Sequence, residues 1–182
     1  MDERAAIPGR EATGGPGGGA WRSSRWRDTS TGYLVAGWLG AVVLFGAIVA
    51  PAAFAVLPSR ALAGAVVGRV LPALFISGMF VGALVAVSAR GATDRRRAGR
   101  LITGGLLVMS CFVAHFVIGG RIEGVRASAG EALDELPTNH PLRVTFGRLH
   151  GLSVAGLGLA ALAAVSSLAF LGGAPTGQRR AP

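Results

Sequence analysis

Lysine is missing from this 182-residue chain, cysteine occurs once, and acidic residues number only nine. Every one of the 18 basic residues is arginine. Together with abundant alanine and glycine, that bias matches a GC-rich bacterial genome. The lone Cys111 excludes an internal disulfide. Aromatics make up 7% and form no basic face with interleaved rings, so the net charge of +9 does not point to nucleic acid. Charge itself is absent from four long stretches, residues 33–57, 70–89, 101–120 and 151–173, which hold no Asp, Glu or Arg. Hydrocarbon accepts such runs and penalises charge, and about 20 apolar residues in a helix cross it. The chain reads as an all-α integral membrane protein, a four-transmembrane-helix bundle whose first partner is the lipid bilayer.

The arginines orient the bundle. Twelve lie before the first run, between the second and third, and after the fourth; six lie on the other side. The six share their side with Glu123, Glu131, Asp134 and Glu135. The positive-inside rule then places both termini in the cytoplasm of a bacterial cell, with the chain in the inner membrane. Residues 1–32, rich in Gly and broken by Pro8 and Pro16, read as a disordered cytoplasmic tail. Residues 33–173 are the transmembrane domain and 174–182 a second cytoplasmic tail. Ala53-Phe54-Ala55 resembles a signal-peptide cleavage site, but the basic region before the run is too long and the run itself long enough to span.

The connections carry local signals. Pro58 and Ser59 suit a helix start, with Ser59 as cap, and Pro72 predicts a bend in the second span. Arg60 and Arg69 are expected to snorkel to the outer interface. Residues 121–136 continue the third span outward. Pro137 stops that helix, and Pro141 opens the returning one. Helices in lipid associate through close backbone approach and polar contacts. Gly64 and Gly68, and Gly78 and Gly82, lie four apart, and Ser77, Ser110, Ser153 and Ser166 can bond across helices. Pro51, Pro58 and Pro72 belong with these glycines as packing residues, and a homodimer through one small-residue face is an open alternative.

Catalytic signatures are lacking. No Ser-His-Asp order in a sensible context, no paired intramembrane carboxylates and no phosphate loop are present; the glycine run 14–19 lacks the Lys-Ser/Thr ending. The chain is read as no enzyme and as needing no cofactor. Two polar groupings remain. His115 lies in the third run, about 7 Å below its outer end at 1.5 Å per residue, and His150 opens the fourth near the same depth. With Cys111 one turn before His115, these are candidate ligands for a metal or haem iron, against the plainer reading of packed, hydrogen-bonded side chains. Arg121, Glu123, Arg126, Arg143, Arg148 and His150 form the other grouping, either an anion entrance or an ion-paired hairpin stem.

Ala50-Pro51 with Phe54, Leu57-Pro58, Ala63-Gly64, Gly68 and Pro72, then Arg121-Ile122, Arg126, Phe146, Leu149-His150 and Ser153, together resemble the transmembrane-protein-205-like family. Its bacterial members are catalogued as a domain of unknown function. The resemblance covers about residues 37–170. It departs at Gly119-Gly120, where members often carry a proline before the basic-isoleucine pair. The resemblance implies a four-span membrane protein without established catalysis, with a structural, accessory or transport-related role, and it adds weight to His150.

Overall fold

The computed structural model describes residues 18–129, 133 and 135–172. No strand occurs among them. Helix α1 (Gly18–Leu44) runs through a π-helical turn at Phe45–Val49 into α2 (Ala50–Val56). A short break leads to α3 (Arg60–Ser88), then to α4 (Asp94–Phe112). A second π-helical stretch, Val113–Gly119, joins α4 to α5 (Gly120–Ala129), and α6 (Pro141–Leu171) returns. Among the described residues, four helices are long and apolar enough to cross a membrane: Trp26–Val56, Arg60–Ser88, Asp94–Ala129 and Pro141–Leu171.

The helices close into a ring in chain order. The first packs on α3, α3 on α4, α4 on α6, and α6 back on α1. The middle of the ring is filled by Trp38, Phe75, Leu107, Cys111 and Ala160. Outward, large apolar side chains such as Val56, Ile102 and Leu162 lie exposed. Water would penalise so much apolar surface, whereas hydrocarbon solvates it. The first span is peripheral: 11% of its most apolar window is buried, against 39% for the third.

Helix α1 begins earlier than composition predicts. Residues 18–32, expected as part of a disordered tail, are helical. Residues 1–17 and the C-terminal tail 174–182 lie outside the described residues. At the start of α3 the expected cap is present, with the Ser59 hydroxyl accepting from the Leu62 amide at 3.2 Å. Pro141 opens α6, and the His140 side chain caps it through Nδ1, which accepts from the Leu142 amide at 3.3 Å. The first π turn sits directly before Pro51. A proline has no N–H and its ring collides with the carbonyl four residues back. Winding wider avoids that contact: the Ala50 amide bonds Phe45 O, five residues away.

Close approach is concentrated between α3 and α4. A Cβ at Gly82 would stand 2.9 Å from the Gly104 carbonyl, and one at Gly104 would stand 2.7 Å from the Gly82 carbonyl. At Gly78 it would meet Cys111 Sγ at 2.7 Å and the Trp38 ring at 2.8 Å. These glycines are used within the chain rather than against a second copy. The polar contacts differ from expectation. Ser77 donates to the Ala73 and Leu74 carbonyls and Ser166 to Leu162 O, all within their own helices. One buried bond between spans comes from Trp38, whose Nε1 donates to Leu74 O at 2.9 Å.

Candidate functional site

One end of the bundle is closed by a single arginine. Arg100 is 2% exposed. Its Nη1 and Nη2 donate to the two carboxylate oxygens of Asp28, each at 2.8 Å. Nη1 also donates to Ser88 O at 3.0 Å, and Nε and Nη2 both donate to Phe170 O at 3.2 Å. A guanidinium has five N–H groups, and here each has an acceptor. Ser88 ends α3 and Phe170 lies in the last turn of α6, where helices leave carbonyls unsatisfied and carry partial negative charge. One residue of the third span therefore holds the first, second and fourth. This clamp was not foreseen. Arg100 sits among five arginines of a basic hairpin and reads there as a topology signal. The available clue was Asp28, the sole acid between Glu11 and Asp94.

The opposite end opens into a cavity of about 690 Å³. Phe54 of α2 and Leu71, Pro72 and Phe75 of α3 give it apolar walls, and the second π-helical stretch contributes His115 and Phe116. Pro72 has no N–H to give the Gly68 carbonyl, so that helix has a backbone acceptor without its usual partner beside the cavity. A π-helical stretch and a proline within a span are tolerated in hydrocarbon where they border a cavity or neighbouring protein. From α6 come Phe146, His150 and Ser153. Ser153 is a buried residue that lines this space.

Among the described residues, the charges that line the cavity are Arg60, Arg126 and a single acid, Glu123. Arg126 does not snorkel outward. Its guanidinium lies on the bare face of α3, 3.3 Å from where a Cβ of Gly64 would be and 3.5 Å from that of Gly68. It also sits 5.5 Å from the centre of the Phe146 ring, a cation–π contact. Glu123 approaches it to 3.9 Å, at the outer limit of an ion pair, with a side chain 73% exposed. Gly64 and Gly68 thus serve as the seat of a side chain, where close packing of two helices was expected.

The expected groupings come together in part. Glu123, Arg126, His115 and His150 share the cavity, joined by Arg60. Arg121 instead lines a separate shallow groove between α5 and α6. Arg148 lies exposed and borders neither, and Arg143 donates to the Leu136 carbonyl. The three candidate metal ligands do not come together in one place. Cys111 is fully buried against Gly78 and does not line the cavity, although it was expected to share a face with His115. The two histidines lie among aromatic rings: His115 meets Phe116 at 4.5 Å between centroids, and His150 stacks on Phe146 at 6.1 Å. Among the described residues, no three His, Cys, Asp or Glu side chains gather to hold an ion.

The class so defined is an all-helical protein with four helices fit to cross a membrane and an amphipathic cavity at one end. A family model described as a domain of unknown function (DUF4149) matches residues 33–131, more than half of the chain. The chain belongs to that family. No curated protein and no solved structure matches it.

Proposed function

We propose that this is a multi-pass protein of the bacterial inner membrane, of the transmembrane-protein-205-like type, that holds a ligand without transforming it. Its role is accessory or transport-related. The observation that carries the reading is the cavity of about 690 Å³ among spans, with apolar walls and two arginines. That volume falls in the usual range of small-molecule sites, about 300–1,000 Å³. Among the described residues, none in its lining pairs a nucleophile with a base, so binding is the chemistry its residues support. The arginine asymmetry supports cytoplasmic termini, which puts the Arg100 clamp at the inner face and the cavity at the outer one.

Native mass spectrometry of the full chain, extracted gently from its own membranes, tests the reading. A bound small molecule is expected on the unaltered protein. It is expected to be lost from Gly64→Leu, whose side chain would enter the space now occupied by Arg126. A protein that never carries a ligand, or whose ligand ignores the filled cavity, would refute it.

A further inference from the structure

We propose that the cavity binds an amphipathic anion: one apolar chain ending in a phosphate-like oxyanion. This rests on the reading of the cavity as a ligand site and names its ligand class. Three observations converge on it.

Charge comes first. Two arginines line a cavity whose only acid among the described residues is largely exposed and only loosely paired. A pair that exposed is weak, so Arg126 keeps most of its capacity for another oxyanion. Arginine presents a planar fork that matches phosphate oxygens, and its seat over Gly64 and Phe146 holds that fork within the cavity.

Backbone donors come second. Arg60 and Ala61 open α3 and line the same space. Ser59 takes the Leu62 and Ala63 amides, the first through its hydroxyl and the second through its carbonyl. The amides of Arg60 and Ala61 have no intrahelical partner, and a helix start favours an anion. The start of α3 and Arg126 therefore line one cavity.

The apolar wall comes third. Phe54 is 49% exposed and Phe116 53%, and both line the cavity. The wall therefore runs out between the spans onto the surface that faces hydrocarbon. An apolar chain can pass from the bilayer along Phe116 and Phe75 while its head stays at Arg60 and Arg126. A free anion would leave this wall uncovered.

The test uses the full chain in nanodiscs of zwitterionic phosphatidylcholine, with radiolabelled hexadecyl phosphate as probe. Hexadecyltrimethylammonium and inorganic phosphate are the comparison arms. Saturable binding of hexadecyl phosphate near one per chain is expected. Arg60→Gln combined with Arg126→Gln should weaken it at least tenfold, the usual effect of losing charged hydrogen bonds. Arg126→Lys should recover part of that loss, and Arg121→Gln, outside the cavity, should leave binding unchanged. Equal binding of the cationic amphiphile, untouched by the arginine variants, would overturn the anion while leaving a ligand-holding cavity. Inorganic phosphate binding as tightly as the probe would overturn the apolar chain in favour of a free anion. Absence of saturable binding in every arm would overturn both this proposal and the cavity as a site.

Discussion

Arg100 shows how much one side chain can decide in a low-dielectric setting. Burying a guanidinium is costly unless its charge and every donor are answered. Asp28 answers the charge, and the carbonyls of Ser88 and Phe170 take the remaining donors. Removing one partner leaves the others unanswered. Arg100→Met is expected to lower unfolding stability in detergent by about 1–3 kcal/mol, since Asp28 is partly exposed and can be rehydrated. Arg100→Lys should recover only part, because one ammonium cannot reproduce a five-donor fork. Arg95→Gln, an exposed neighbour, should change stability by less than about 0.5 kcal/mol. Equal melting of all three variants would remove the clamp as a stabilising feature. Its position could not be read from the chain, because Asp28 and Arg100 are 72 residues apart and nothing local marks one hairpin arginine as buried.

At the scale of elements, local rules did well wherever the cause is local. Ser59 caps α3 and Pro141 opens α6, as their residue types predict. Ser59→Ala should cost about 1 kcal/mol of helix stability, seen as faster amide exchange in the first turn of α3. Packing between elements was legible only as a list of small residues. Gly78 and Gly82 have no room for a side chain, whereas Gly64 and Gly68 carry Arg126. Gly82→Leu should destabilise by about 1–3 kcal/mol or more, because the obstacle is the Gly104 carbonyl, which cannot swing aside. Gly105→Leu, with open space around it, is the matched control and should melt like the unaltered protein. Ser77 and Ser166 do not act as the predicted glue because a hydroxyl on a helix reaches a carbonyl of its own previous turn first. Pro51 marks the first π turn in hindsight; the second, which brings His115 and Phe116 to the cavity, has no such mark.

The whole molecule has two unlike ends. One is tied shut by a buried ion pair that touches all four spans. The other is held open by a proline, a π-helical stretch and an arginine lying across glycines. This asymmetry suits a protein anchored at one face and receptive at the other. In the proposed orientation, an alkaline phosphatase fused after residue 182 should be inactive, and one inserted at Asn139 should be active. The reverse pattern would invert the orientation drawn from the arginine count.

Composition alone determined that these helices are long and apolar enough to cross a membrane, roughly where they run, and where several of them start. Solvation and capping are properties of each residue and its near neighbours, so a linear reading captures them. Only the tertiary structure decided which arginine is clamped, which lies in the cavity, and that Cys111 faces the core instead of His115. Those outcomes depend on contacts between residues tens of positions apart, whose geometry exists only after the helices have closed into a ring.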